Sequence, residues 1–108
     1  MMKISVKSLH FNADSKLIEY VEKKLGRLSR YFDRTVDAEV HLKVQDTGSR
    51  IQDKIAEIKL HVPGAWLMDK KTGRTFEEAV DESVDTLKRQ LLRHKEKISH
   101  HHRRGLEE

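Results

Sequence analysis

The chain contains no cysteine and no long hydrophobic run. The absence of cysteine excludes disulfides, thiolate metal sites, iron–sulfur clusters and cysteine nucleophiles, and it favours a reducing compartment. No apolar stretch approaches the ~20 residues that a membrane-spanning helix needs, and the first ten residues lack the apolar segment of a signal peptide. We therefore expect a cytoplasmic protein that has no membrane partner.

Glycine, proline and aromatic residues are also scarce. The chain has five glycines and one proline, which leaves little sequence for a phosphate-cradling loop. The glycine-rich nucleotide-binding patterns, the nucleophile elbow and the paired-histidine zinc motif are all missing. We interpret the adjacent residues His100, His101 and His102 as part of a basic tail rather than as a metal site. The sequence therefore predicts a protein that is not an enzyme and uses no cofactor, metal or small-molecule substrate.

Length and composition predict one domain with a thin core. The 108 residues are 36% hydrophobic and 37% charged, so the arrangement of the apolar residues must decide whether the chain folds. We assign residues 1–99 to one folded domain. Residues 100–108 are polar and basic, and we expect them to form a short disordered tail.

Hydrophobic residues recur with two different periods. Apolar and polar residues alternate over 2–7, 36–45 and 56–62, which predicts three strands, and the apolar run 65–68 starts a fourth. Three- and four-residue steps predict two helices, with stripes formed by Leu17, Val21, Leu25, Leu28 and Phe32, and by Phe76, Val80, Val84, Leu87, Leu91 and Ile98. The predicted class is α+β: a two-layer β-α-β-β-β-α domain with both helices on one face of a four-stranded sheet and the other face in water.

Several local signals refine this plan. Asp14 or Asn12 can cap the first helix, for which we expect ~18 residues, and Thr75 has capping-box spacing to Glu78 in the second. A turn around residues 47–49 should join the second and third strands. His41 and His61 point outward from these neighbouring strands, and we expect a cross-strand pair.

The fourth predicted strand has two alternating pairs of apolar residues. Ala65 and Leu67 point to one face of the sheet, whereas Trp66 and Met68 point to the other. Core packing is the first interpretation of these side chains. A stacking platform or a protein contact on the open face is the alternative.

Charge is distributed very unevenly along both helices. Residues 76–87 carry five acidic and no basic side chains, whereas residues 88–104 carry seven basic side chains and one glutamate. The first helix has a basic stripe formed by Lys23, Arg27, Arg30 and Arg34, which repel one another at this spacing. The helix dipole favours acidic residues near the start of the second helix and basic residues near its end. This effect reaches only about one turn from each end, whereas the basic run covers several turns.

These two basic runs predict a polyanion-binding surface. If the helices lie side by side, the runs can form one groove or ridge that suits a phosphate backbone. The chain has no helix-turn-helix, zinc finger or basic zipper to read a DNA major groove, so folded RNA is the favoured ligand. The candidate RNA-binding residues are Lys23, Lys24, Arg27, Arg30, Lys88, Arg89, Arg93, His94, Lys95 and Lys97.

Three stretches of the sequence resemble the short hibernation-promoting factor and ribosome-associated inhibitor (factor Y) family. They are residues 20–25 (YVEKKL) with 31–34 (YFDR), residues 62–64 (VPG), and residues 76–81 (FEEAVD) with 87–91 (LKRQL) and 94–97 (HKEK). The resemblance implies a fold similar to double-stranded-RNA-binding domains. It also implies rRNA contacts from Lys23, Lys24 and Arg27 on the first helix and from the basic residues of the second.

The same resemblance implies a function. Members of that family bind the small ribosomal subunit and its rRNA in the tRNA and mRNA channel, inhibit translation and preserve idle ribosomes. By this resemblance, residues 1–99 would be a ribosome-binding domain. Other hibernation factors are further candidate partners. Two alternatives stay open: a general binder of structured RNA, and a protein-interaction regulator that uses the open face of the sheet.

Overall fold

The elements follow one another in the predicted order. A computed structural model describes residues 3–9, 11–31, 37–45 and 53–107, with side chains described as far as residue 98. The elements are β1 (Lys3–Leu9), α1 (Ser15–Gly26) with a 3-10 turn (Arg27–Arg30), β2 (Asp37–Gln45), β3 (Asp53–Val62), β4 (Ala65–Gly73) and α2 (Phe76–Glu107). Phe32, Arg34 and Val36, and the predicted turn at 47–49, lie outside the described residues.

The four strands form one sheet in sequence order. β1 pairs with β2 in parallel, and α1 makes the crossover between them. β2 and β3 are antiparallel, as are β3 and β4. The register aligns Val6 with Val40 and Val40 with Ile58, so the apolar positions of adjacent strands share one face.

Both helices pack on that apolar face and confirm the two-layer α+β architecture. The core brings together buried residues of the helices and of β2 and β3: Leu17, Val21, Leu25, Leu28, Ala38, Val40, Leu42, Ala56, Ile58, Leu60, Val62, Phe76, Ala79, Val80, Leu87 and Leu91. Val84 and Ile98, the other members of the predicted second stripe, are half-buried at its margin. Each helix therefore buries one stripe and leaves its charged sides in water.

The first helix is capped as predicted but is shorter than predicted. The Asp14 carboxylate accepts a hydrogen bond of 2.8 Å from the backbone N–H of Leu17. The α-helix ends after twelve residues and tightens into the 3-10 turn, where the Ser29 hydroxyl donates to the Gly26 carbonyl at 2.7 Å. Two features favour the end of α1 at this point. Glycine is a poor helix former, and the Ser29 hydroxyl donates a hydrogen bond to a carbonyl of the last α-turn.

The second helix begins at the predicted cap. The Thr75 hydroxyl accepts a hydrogen bond of 3.1 Å from the backbone N–H of Glu78. The helical backbone then continues to Glu107, through the segment for which the sequence predicts disorder. Residues 100–107 contain no proline and only one glycine, Gly105, so little in them opposes a helix. The boundary after residue 99 stays a prediction.

β1 contributes polar side chains to the open face of the sheet, as predicted. Lys3, Ser5 and Lys7 are all exposed there. The predicted pairing of the two histidines is wrong: His41 lies opposite Glu57, whereas His61 lies opposite Asp37. Alternation predicts which face a residue occupies, but the register between β2 and β3 depends on the segment that joins them.

The fourth strand divides its apolar residues between the two faces. Ala65 and Leu67 pack against the core, whereas Trp66 and Met68 lie on the open face with about half of their surface exposed. The His61 ring stacks on Trp66 with the ring centroids 4.2 Å apart, and the Lys59 Nζ lies 4.3 Å from the centroid of Trp66. Core packing is therefore wrong for Trp66 and Met68, because β4 turns these two positions away from the helices.

A tight turn at Pro63 and Gly64 joins β3 to β4 and provides a stability test. Gly64 has a φ of +84°, whereas Gly26 has a helical φ of −58°, and an added Cβ would meet no atom within 4 Å at either position. We expect Gly64→Ala to destabilise the fold by about 1–2 kcal/mol, because L residues disfavour the left-handed region. Gly26→Ala should instead stabilise it by about 0.5–1 kcal/mol.

Urea denaturation of the two variants and the wild type measures both effects. Equal effects of the two substitutions would show that backbone conformation does not set the requirement for glycine at residue 64.

Candidate nucleic-acid interface

A shallow groove lies between α1 and α2 on the side of the helices that faces away from the sheet. It encloses about 160 Å³ and is lined by Lys24, Arg27, Leu28, Tyr31, Asp81, Val84, Asp85 and Lys88. Leu28 is buried and Val84 half-buried, so packing between the helices forms the floor. We call this feature the interhelical groove.

Cations of both helices meet in the interhelical groove. Lys24 and Arg27 come from the end of α1 and its 3-10 turn, and Lys88 comes from α2. The Lys88 Nζ also lies 4.8 Å from the centroid of the Tyr31 ring, which is a cation–π distance. The structure thus brings three of the predicted RNA-binding residues together across two elements.

Two carboxylates share the groove with these cations. The Asp81 carboxylate accepts a hydrogen bond of 2.7 Å from the Tyr20 hydroxyl and lies 3.3 Å from the Lys24 Nζ. The hydrogen bond to Asp81, burial and the negative charge of Asp81 raise the pKa of Tyr20 to about 12. Asp81 therefore ties α1 to α2 through two side chains of α1.

The second carboxylate pairs within its own helix. The Asp85 carboxylate lies 3.0 Å from a guanidinium nitrogen of Arg89, one turn further along α2. Both side chains are 67% exposed, so water screens this ion pair strongly. Three cations against two carboxylates leave the lining of the groove with a net charge of +1.

The other predicted residues lie outside the lining of the groove. Lys23 and Arg30 are exposed on α1 and its 3-10 turn. Arg93, Lys95 and Lys97 are exposed on α2 beyond Lys88, and Arg93 and Lys97 share a side because they are four residues apart. Their membership of one RNA-binding surface with the groove stays a prediction.

His94 occupies a different place from the remaining candidates. Its Nε2 lies 2.9 Å from the carbonyl oxygen of Pro63, in the turn between β3 and β4. The ring thus joins α2 to the sheet. Its predicted role as an RNA contact stays a prediction, and the geometry gives it a packing role as well.

Sequence reasoning missed Tyr31, Asp81 and Asp85 in the lining of the groove, and Tyr20, which donates a hydrogen bond to Asp81. The spacing of Tyr20, Lys24 and Leu28 at four-residue steps places them on one side of α1, and this signal was available. No sequence pattern identified the partner of Tyr20, because Asp81 lies 61 residues away and meets Tyr20 only when the helices pack.

The described part of the chain contains neither a metal-binding cluster nor a membrane-spanning helix. Within 3–9, 11–31, 37–45 and 53–98, no group of three or more His, Asp or Glu side chains could hold a metal ion. None of the helices in these ranges is long and apolar enough to cross a bilayer. The groove presents three cations, two carboxylates and the Tyr31 side chain to a ligand.

Comparison with known proteins identifies similar sequences and folds. The family model described as "Sigma 54 modulation protein / S30EA ribosomal protein" matches residues 4–99. A ribosome hibernation promoting factor of Azotobacter vinelandii is 34% identical over 96 residues, which cover 89% of this chain and 85% of that protein.

A longer relative and a solved structure agree with this match. A ribosome hibernation promotion factor of Deinococcus radiodurans is 39% identical over 77 residues, covering 71% of this chain but only 40% of the relative. The crystal structure of the Thermus thermophilus Protein Y N-terminal domain superposes with a TM-score of 0.75 at 29% identity, covering 86% of this chain and 98% of that one.

Proposed function

Because the chain belongs to the Sigma 54 modulation protein / S30EA ribosomal protein family, we propose that it is a ribosome hibernation factor. In this proposal it binds the small ribosomal subunit in the tRNA and mRNA channel, inhibits translation and preserves idle ribosomes. The site of action is the cytoplasm, and other hibernation factors are candidate partners. The names of its relatives support the role in hibernation, and the charge layout supports the mode of binding.

One observation carries the RNA-binding part of the proposal. Lys24 and Arg27 of one helix and Lys88 of the other line a single groove, although about 60 residues separate them in the sequence. The three cations outnumber the two carboxylates of the groove, and a polyphosphate ligand neutralises the remaining positive charge. Lysine and arginine contacts to phosphate release condensed counterions, which supplies much of the affinity without reading the base sequence.

The proposed mechanism is steric and needs no reacting group. A folded two-layer domain that fills a path normally used by tRNA and mRNA excludes both. The packed core maintains the shape of the domain, and the cationic helix face holds it against rRNA phosphates. Recognition of the shape and backbone of a folded RNA suits a rigid domain without base-reading loops.

Competition between two RNA ligands tests this function. The protein is sedimented with purified small ribosomal subunits, with and without an equal mass of naked duplex RNA. We expect co-sedimentation with the subunits in both mixtures, because the ribosomal site combines shape with phosphate contacts. Displacement by naked duplex would favour a general binder of structured RNA, and failure to sediment with subunits at low salt would refute the proposed function.

A further inference from the structure

We infer that Asp81 and Asp85 compete with RNA phosphate for two cations, Lys24 in the interhelical groove and Arg89 beside it. This inference rests on the proposed function and adds a restraint to it. In the free protein Asp81 forms an ion pair with Lys24, and Asp85 forms one with Arg89. When the protein binds rRNA, phosphates replace the carboxylates as partners of these two cations. They thereby limit affinity and favour release of the protein from the ribosome.

The position of the two carboxylates separates them from the other acids of α2. Glu77 and Glu78 lie in the first turn, where the helix dipole stabilises negative charge. Asp81 and Asp85 lie more than one turn into α2, beyond the reach of that effect, and both line the groove. Helix capping therefore does not explain why they stand among cations.

The contacts of each carboxylate suit a competitor. Asp81 accepts a hydrogen bond from the Tyr20 hydroxyl and lies 3.3 Å from the Lys24 Nζ, so it is paired with a cation of the opposite helix. Asp85 lies 3.0 Å from Arg89, and this pair is 67% exposed at both ends. Carboxylate and phosphate oxygens offer a guanidinium the same type of charge-assisted hydrogen bond. An exposed ion pair contributes little to folding, so exchange of one acceptor for the other is energetically accessible.

The charge of the carboxylates acts in a second way. A phosphate that enters the groove lies within the Debye length, about 8–10 Å, of both carboxylates, so dissolved salt only partly screens their repulsion. Like charges brought together across an interface oppose binding. The groove therefore binds RNA less tightly than its cations alone would.

The test removes one carboxylate charge and measures affinity for small ribosomal subunits. Asp85→Asn is the test variant, because Asp85 is exposed and its loss leaves the contacts between Tyr20, Lys24 and Asp81 intact. Glu82→Gln is the matched control: it is exposed on the same helix, changes the net charge equally and does not line the groove. Asp85→Glu keeps the carboxylate and serves as the conservative variant.

We expect Asp85→Asn to lower the Kd by about three- to tenfold. Glu82→Gln and Asp85→Glu should stay within about twofold of the wild type, and the four proteins should unfold at the same temperature. Equal Kd values for Asp85→Asn and Glu82→Gln, with normal wild-type binding, would overturn the inference and leave the proposed function standing. Wild-type protein that fails to bind at all would instead refute the proposed function.

Discussion

Replacing Arg27 and Lys88 together by glutamate should weaken binding to small ribosomal subunits by about 100-fold or more. The two side chains line the interhelical groove from opposite helices. A hydrogen bond to a charged group contributes about 1.5–3 kcal/mol, so losing two such contacts costs at least about 3 kcal/mol, which corresponds to a factor above 100. The introduced carboxylates add repulsion, and sedimentation over a range of protein concentrations measures the change.

The control for this double variant lies on the opposite face of the domain. Lys3 and Lys70 are exposed on the open face of the sheet, and replacing both by glutamate gives the same change in net charge. We expect this control to bind within a few-fold of the wild type. If both double variants lose affinity equally, net charge drives binding and the groove is not the binding surface.

Leu91→Ala should destabilise the domain by about 2–5 kcal/mol. Leu91 has no exposed surface and packs in the core between α2 and the sheet, so truncation leaves a cavity that the surrounding side chains fill only partly. A loss of this size is a large fraction of the 5–15 kcal/mol that holds a typical domain folded. Binding to subunits should fall only as far as the folded population falls.

The neighbouring leucine provides the matched control for this prediction. Leu92 is 41% exposed, and Leu92→Ala makes the same chemical change one position along the helix. We expect its effect to stay within about 0.5 kcal/mol, as for most surface substitutions. Urea denaturation of both variants checks the pair, and similar losses at the two positions would contradict the assignment of the buried side of α2.

The sequence predicted the fold well because local patterns determine most of it. Alternation over β2 and β3 predicted the inward residues, and the three- and four-residue steps predicted the buried stripes of both helices. The hydrophobic free energy is nonspecific, so a pattern of the correct period suffices to assign each face. The resemblance to the hibernation-promoting factor family is confirmed by the match over residues 4–99.

The details that the sequence did not reveal depend on contacts between distant elements. The partner of Tyr20 lies on another helix, and the contact of His94 with Pro63 joins a helix to a turn. The length of α1 was overestimated because the stripe continues through the 3-10 turn, where Leu28 is still buried. Alternation placed Trp66 and Met68 on one face of β4, but which face meets the helices depends on the pairing of β4 with β3.

The central claim is that cations of both helices bind ribosomal phosphate. The salt dependence of binding tests this claim most directly. The Kd for small ribosomal subunits is measured from low to high salt. Each phosphate contact contributes about 0.7–0.9 to the slope of log affinity against log salt. If about six to eight of the ten candidate residues contact phosphate, the slope lies between about −4 and −7. Affinity that stays flat over the same range would contradict the claim.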